Sequence, residues 1–455
     1  MKIYRDTKIY VMSPAGVPSG GPELLHQLAS KLIRMGIDAY MYYVPPDFPE
    51  PIPPTYRKYC LRFVRNICDE PHNVLILPET QSPALYRYKN IQRVFWWLSV
   101  DNYVRSVVGI MNRFAENNPL SPMPKFFCFN GFADESIEHW VQSEYSRQFI
   151  MLNGVSESKI KRVRDYLNPT FLTRSSTIDL SAKMDLIAFN PNKGLAFTRK
   201  LMAAAPELRW YPIVNMTVEQ VQELLAHAKI YIDFGNHPGR DRIPREAAVS
   251  GCVIITGRRG SAANPIDVAI DDSFKFDDTD ENIPLIIERI KKIFADFIPE
   301  LIKQKSYRAE ILSEPEIFAR EVESACDFVE PVARPQHVAV LQNITLEKNF
   351  RAFHQMTASL PNLKLDFIVD DALSNGGGAV CMIIEGGRAA ENNFSQFNAT
   401  PIISTKEAAF LYKEGRIEKF ILYDLSEDER ARVIDAVNKI GVRNDDLLSL
   451  NSPST

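Results

Sequence analysis

Apolar positions along this chain follow two alternating patterns. Short runs rich in β-branched and aromatic residues predict strands, and longer stretches with apolar residues three and four apart predict helices; such alternation belongs to parallel sheets with crossover helices. The opening unit predicts a strand at 8–12, a small-residue loop at 13–21, and a helix on which Leu24, Leu25, Leu28 and Leu32 form one stripe. Pro22 suits the first helical position and Gly36 the stop. A strand at 37–43 completes a βαβ unit. Further strands are predicted at 73–77, 93–98, 125–129 and 139–142, and the Pro-rich stretch 45–54 reads as a loop.

Near Asn168-Pro169 the strand signal stops, and a second α/β series opens at 185–189. It continues with a helix near 194–205, strands at 209–214 and 229–234, a helix starting near Pro244, a strand at 252–256, and a helix at 284–297 with Ile286, Ile290, Ile293 and Phe297 on one stripe. Residues 328–335, with Pro331 and Pro335 around Arg334, read as a linker. Beyond them, strands at 337–342, 364–369, 380–385, 401–404 and 419–423 alternate with helical stretches. That part has a Gly376-Gly377-Gly378 loop but no cluster suited to chemistry, and it reads as a docking or scaffolding domain. The expected domains are therefore 1–167, 168–330 and 336–448, with residues 449–455 expected to be disordered.

Composition narrows the class. With 455 residues, 45% hydrophobic and 24% charged, the chain has the make-up of a soluble globular protein. Its net charge of -4 offers no global attraction to nucleic acid, so any anion site must be a local cluster. Cys60, Cys68, Cys128, Cys252, Cys326 and Cys381 are scattered and show no C-x-x-C spacing, as expected of reduced core residues. Residues 1–6 carry charge where a signal peptide needs an apolar region, and no run of about 18 apolar residues occurs. A cytoplasmic protein is expected. The basic stretch 56–68, with Arg57, Lys58, Arg62 and Arg65, reads either as a solvated helix face or as a peripheral contact on the inner membrane face.

The richest segment for chemistry is 231–248. A strand ends in a loop holding His237, Gly239, Arg240, Arg242 and Arg245, and Pro244 opens the next helix. Loops at the carboxyl ends of strands line the ligand crevice of an open α/β sheet. A helix N-terminus adds free N–H groups and partial positive charge, and arginines add bidentate contacts to phosphate oxygens. Glu246, expected in the first turn, could accept both hydroxyls of a ribose or merely complement the helix dipole. His237 could touch a sugar or phosphate, or be satisfied by loop carbonyls. Three arginines at one helix start would repel each other without an anion. In the segment Phe189-Asn190-Pro191-Asn192-Lys193-Gly194, Asn190, Lys193 and Gly194 either approach a phosphate or make an ordinary turn. Gly20-Gly21-Pro22-Glu23 lets backbone approach a ligand at a helix start, or is simply a helix entrance. Asp101 could touch a transferred sugar or an acceptor hydroxyl, or serve as a cap, and Trp96 and Trp97 read as core or as sugar platforms.

Four of these segments, in this order, resemble glycosyltransferases of the GT-B fold, especially the retaining enzymes of glycosyltransferase family 4. They are Gly20-Gly21-Pro22-Glu23; Trp140 through Gln148 with Gly154, Val155, Lys159 and Ile160; Asn190 through Gly194; and the stretch from His237 to Glu246 with Gly251-Cys252-Val253-Ile254-Ile255. The resemblance implies two Rossmann-like domains facing a cleft, followed here by a third Rossmann-like α/β domain. It implies a nucleoside diphosphate sugar as donor and a glycan or lipid-linked acceptor, as in bacterial capsule or lipopolysaccharide synthesis. It also implies that Lys193 neutralises the donor phosphates, that Glu246 holds the ribose, and that the anomeric configuration is retained. The family's paired glutamates place the first at the position of Pro238, and its usual arginine is absent, its place open to Asn190 or to the distant Arg240, Arg242 and Arg245. No Asp-x-Asp motif stands where a metal-dependent transferase needs one, so no metal and no cofactor are expected. Two other functions fit the same residues: a sugar-nucleotide epimerase of this fold, or a non-catalytic glycosyltransferase-like subunit that binds a partner.

Overall fold

The computed structural model describes residues 1–59, 61–117, 125–129, 136–329, 336–341, 363–369, 402–423 and 427–450. Cys60, Cys381, the glycines 376–378, the expected strand at 380–385 and nearly all of the expected linker lie outside them. The protein is α/β, and its paired strands run parallel. It divides into two compact units, one formed by Met1–Leu77, Tyr88–Arg93 and Cys326–Thr455, the other by Pro78–Arg87 and Val94–Ala325.

The first unit holds the strands Lys8–Pro14, Asp38–Val44, Phe63–Val64 and Val74–Pro78, in the spatial order Phe63–Val64, Asp38–Val44, Lys8–Pro14, Val74–Pro78. The chain thus leaves Lys8–Pro14 to one side and returns on the other, a topological switch point. The helix Gly20–Arg34 packs the expected stripe, with Leu24, Leu25, Leu28 and Leu32 fully buried. It starts two residues before Pro22, which a first turn tolerates because its N–H groups have no intrahelical partner. The same unit carries a five-stranded sheet of order Ile402–Ile403, Leu363–Val369, Gln336–Leu341, Lys419–Tyr423, Leu447–Leu450. Ser449 and Leu450, expected to be disordered, belong to its last strand. An additional short pairing joins Lys2–Ile3 to Asp327–Phe328.

The basic stretch 56–68 is not one continuous amphipathic helix. It folds as a 3-10 helix Pro54–Tyr59 and a strand Phe63–Val64, with Tyr56 and Tyr59 buried. Its bases have partners within the unit: Lys58 meets Glu23 at 3.1 Å, Arg62 is buried on Asp38 at 2.9 Å, Arg57 lies 3.8 Å from Glu50, and Arg65 donates to the Pro46 carbonyl. Among the described residues, no helix is long and apolar enough to cross a membrane.

The second unit contains strands Gln92–Trp97, Ile137–Val141 and Ile160–Arg162, then a four-stranded sheet of order Trp210–Pro212, Met184–Phe189, Ala228–Asp233, Val253–Thr256. Its core gathers Ile187, Ala188, Ile230, Tyr231, Ile232 and Ile254 from that sheet with Leu201, Leu225, Ile286 and Ile290 from flanking helices. The edge strand Val253–Thr256 is protected by Gln304, whose buried amide donates to the Ile254 carbonyl at 2.8 Å and accepts its N–H at 2.9 Å. Residues 125–129 form no strand: Phe127 stacks into an aromatic cluster with Phe95, and its carbonyl accepts from the Tyr103 hydroxyl at 3.0 Å. The helix Val100–Asn117, absent from the sequence reading, runs for 18 residues after the Gln92–Trp97 strand.

Candidate functional site

Met184–Phe189 and Ala228–Asp233 flank the switch point of the four-stranded sheet, since the chain leaves Met184–Phe189 for Trp210–Pro212 on one side and returns to Ala228–Asp233 on the other. Their two following loops lie backbone against backbone. Gly194 adopts φ +62 and caps the helix Leu195–Ala204, and a side chain there would come within 2.6 Å of the Gly235 nitrogen. Gly235 in turn leaves no room between its own backbone and the Lys193 side chain. Asn190 shapes this loop: its side chain accepts from the Asn192 N–H at 3.0 Å and its carbonyl from the Lys193 N–H at 3.2 Å. Asn190 is therefore a turn former, and Lys193 is the residue the turn presents.

Lys193 forms an ion pair with Asp241, the N-cap residue of the helix Arg242–Val249. This helix starts at Arg242, two residues earlier than expected, because Pro244 falls in a first turn whose N–H groups need no intrahelical acceptor. Glu246 consequently lies beyond the first turn, half-buried, and has interaction partners of its own. His237 is 0% exposed, and its ring nitrogens face two carboxylates: Nε2 is 3.4 Å from Asp233 and Nδ1 is 3.7 Å from Asp241. Neither contact is within hydrogen-bond geometry, and no loop carbonyl satisfies the ring. Asp233 is fixed by the Tyr231 hydroxyl at 3.0 Å and the Gly235 N–H at 2.8 Å. Burial pushes its carboxyl up, but His237, the Gly235 N–H and Lys193 outweigh that and hold it below the usual range. Asp233, His237 and Asp241 are the one group among the described residues whose ligand atoms could converge on a metal ion.

The three arginines separate. Arg240 and Arg245 are buried, and both donate to Glu314, each at 2.7 Å; Arg245 also donates to Asp165 at 2.6 Å, and Arg242 lies 3.7 Å from Asp165. The anions that relieve their mutual repulsion are thus supplied by the protein itself. Burial would raise Asp165, but Arg245, Arg242 and Arg240 together hold its carboxyl below the usual range. Arg240 and Arg245 lock the loop to the helix Glu314–Ala325 rather than presenting their charge to solvent.

On its other side the His237 loop meets the strand ends of the same unit. Gly239 is packed so closely on the Leu98 carbonyl that any side chain would collide with it, the Pro238 carbonyl accepts from the Val100 N–H at 3.1 Å, and the Asn236 amide donates to Asp101. Asp101 is half-buried in the first turn of Val100–Asn117, whose Ser99 hydroxyl caps the Asn102 N–H at 3.1 Å. Trp96 and Trp97 are core, both fully buried, with their indole N–H groups donating to the Val163 carbonyl and to His139. Ser143 and Ser146 form the capping box of Glu144–Leu152, and the Asp267 carboxylate accepts the Glu144 and Tyr145 N–H groups at 2.7 and 2.8 Å. Gly20 and Gly21 belong to the first unit, where they open the helix after the strand at its switch point.

Lys193, Asp241, His237 and Asp233 therefore come together, with Asn236 on the same loop as His237 and Asp241, and Asp101 held to it from the helix Val100–Asn117. The sequence reading missed Asp233, Asn236 and Asp241. Asp233 had a signal, a carboxylate that closes the strand straight after the apolar run Ile230-Tyr231-Ile232. Asp165 and Glu314 had none, standing 80 and 69 residues from Arg245.

No protein-family model matches the chain, and no curated protein matches it by sequence. Among solved structures it is similar to Alr3699/HepE of Anabaena in complex with UDP-glucose, at 11% identity and TM-score 0.44, over 70% of this chain and 99% of that one. It is also similar to sucrose-phosphate synthase of Thermosynechococcus elongatus, at 12% identity and TM-score 0.49, over 70% and 98%. A third is the lipopolysaccharide outer core galactosyltransferase WaaB, at 12% identity and TM-score 0.42, over 70% and 99%.

Proposed function

We propose that this chain transfers a glycosyl group from a nucleoside diphosphate sugar to a glycan or lipid-linked acceptor. One observation carries the reading: Lys193 stands in the loop after one switch-point strand, against the N-terminus of the helix Arg242–Val249 that follows the other. A ligand at a switch point lies outside the carboxyl ends of the strands, where the ammonium and the positive end of the helix would meet a diphosphate. As the glycosidic bond to the donor breaks, charge grows on the departing diphosphate, and groups already fixed around it stabilise that charge without reorganising. Glu246, farther along the same helix, is the residue for the ribose hydroxyls. Asp101, held by the Asn236 amide, is the carboxylate for the transferred sugar or the acceptor hydroxyl.

In this reading transfer retains the anomeric configuration, as the resemblance to family 4 implies, and needs no metal, because Lys193 supplies positive charge to the diphosphate. The products would be bacterial surface polysaccharides such as capsule or lipopolysaccharide, made by a cytoplasmic protein that acts at the inner membrane face. The test is release of nucleoside diphosphate from a panel of donor sugars, with and without acceptor glycans. Lys193→Ala should lower the acceptor-dependent rate by about a hundredfold, the scale of losing one preorganised charge-stabilising group. Donor turnover that needs no acceptor would favour an epimerase instead.

A second reading is favoured by the pairing of the site's cations. Arg240 and Arg245 are engaged with Glu314 and Asp165, and Lys193 with Asp241. A non-catalytic subunit that keeps the fold and binds a partner would have this internally neutralised site, and Glu246→Ala would leave its partner binding intact.

A further inference from the structure

We infer that Asp241 is a built-in competitor for the donor diphosphate: a two-position carboxylate that holds Lys193 until an anion arrives and then turns to His237. The inference rests on the donor-site reading above and adds the residue that regulates access to it.

Three features single out Asp241. It is the N-cap residue of Arg242–Val249, yet its side chain makes no capping hydrogen bond to that helix. An N-cap aspartate ordinarily accepts from the N–H of the second or third helical residue; here the third is Pro244, which has none, so the Ile243 N–H is the donor left to another anion. Its carboxylate instead engages Lys193, which neutralises the cation a diphosphate would need. Finally, a second place for it exists in the fold. His237 is completely buried, neither ring nitrogen has a hydrogen-bond partner, and Nδ1 points to Asp241 from 3.7 Å, a little beyond bonding distance. Buried polar groups left in this state are rare, because each forfeits its solvation without gaining a bond.

The members of the cluster differ in freedom. Asp233 receives the Tyr231 hydroxyl and the Gly235 N–H, and it backs the far side of His237 at 3.4 Å. Among the described residues Asp241 has no such anchors: its carboxylate meets Lys193 and His237. An arriving diphosphate brings more negative charge to Lys193 than one carboxylate does, and it also reaches the Ile243 N–H at the start of the helix. Asp241 is then displaced by less than one bond length of motion toward His237. In that arrangement Asp233, His237 and Asp241 form a row in which the ring N–H of His237, without a partner in the free protein, gains a carboxylate acceptor. The ion pair in the free protein and the row in the bound protein are alternatives, and the anion selects between them.

The probe is inorganic pyrophosphate, which tests the anion site without assuming a base or a sugar. Its dissociation constant is measured by calorimetry for wild type, Asp241→Asn, Lys193→Ala and His237→Phe. Asp241→Ser, which also retains a capping side chain, is run beside Asp241→Asn, with melting temperatures to show that each is folded. Removing the competing charge should tighten pyrophosphate on the order of tenfold in both Asp241 variants. Lys193→Ala should weaken it, and His237→Phe should weaken it less by removing the carboxylate's second place. Binding that is unchanged or weaker in folded Asp241→Asn and Asp241→Ser would overturn the competitor role and leave the donor site standing. Binding by none of the proteins would overturn both.

Discussion

Arg245 and Asp165 meet as a fully buried ion pair, Nη2 to Oδ2 at 2.6 Å, while the other terminal nitrogen of Arg245 reaches the buried Glu314 at 2.7 Å. One guanidinium thus ties three separate stretches of the second unit. Removing one partner from such a network leaves uncompensated buried charge. Arg245→Ala should therefore destabilise the protein by about 3–5 kcal/mol. Denaturant unfolding checks this; a loss below about 1 kcal/mol would show that the network is solvated. If the arginines served the donor instead, the variant would lose affinity for nucleotide and keep its stability.

Gly194 tests the contact that presents Lys193. Its φ of +62 disfavours a side chain, and an added methyl would be forced against the Phe234 carbonyl. Gly194→Ala should cost about 1–3 kcal/mol and separate the two loops, so that affinity for pyrophosphate falls along with the melting temperature. Gly154, also at positive φ but with nothing near a Cβ, is the control: Gly154→Ala should cost less and leave affinity unchanged.

Glu79 gives a pH signature. It is buried, accepts the Leu98 N–H at 3.0 Å, and burial, only partly offset by backbone N–H groups, raises its pKa from 4.5 to about 7. A carboxyl whose folded pKa is raised contributes its full stability below pH 4.5 and loses it as pH rises through 7. The difference in unfolding free energy between wild type and Glu79→Gln should thus move against wild type by up to about 3 kcal/mol between pH 4.5 and 8. A flat difference would show that Glu79 stays ionised. The comparison by difference matters because His26, with its pKa lowered to about 4 by burial, acts in the opposite sense over part of this range.

Removal of metal should leave turnover unchanged. Lys193 brings its positive charge to Asp241 without an ion. If the proposed transfer is correct, activity measured after exhaustive chelation should match that of the untreated protein. A loss that magnesium or manganese restores would instead make Asp233, His237 and Asp241 ligands.

Much of the fold was legible because local pattern and tertiary role coincide. The stripe of Leu24, Leu25, Leu28 and Leu32 and the apolar run before Asp233 are buried as their periodicity predicts. Val100–Asn117 carries a helical signal that the sequence reading missed: Val100, Tyr103, Val104, Val107, Val108, Met111 and Phe114 recur three and four apart, although Val104, Val108 and Met111 are exposed while Tyr103 is buried. The run around Phe127 reads as a strand because its aromatics alternate, yet they serve an aromatic cluster rather than a ladder. At the site, the glycines and Lys193 stand out locally, whereas Arg240 and Arg245 look like phosphate ligands until Asp165 and Glu314 arrive from distant segments. Partners fixed only by tertiary packing leave no mark in the neighbouring sequence.

The central claim is that Lys193 and the Arg242–Val249 helix bind a nucleoside diphosphate. Its most direct test is the melting temperature of wild type, Lys193→Ala and Glu246→Ala against a panel of nucleoside diphosphates and their sugars. At 100 times its dissociation constant a ligand stabilises by about 2.7 kcal/mol. The account predicts an upward shift of wild type with one base, abolished by Lys193→Ala and reduced by Glu246→Ala; a wild type that no nucleotide stabilises, or a shift that both substitutions leave intact, would contradict it.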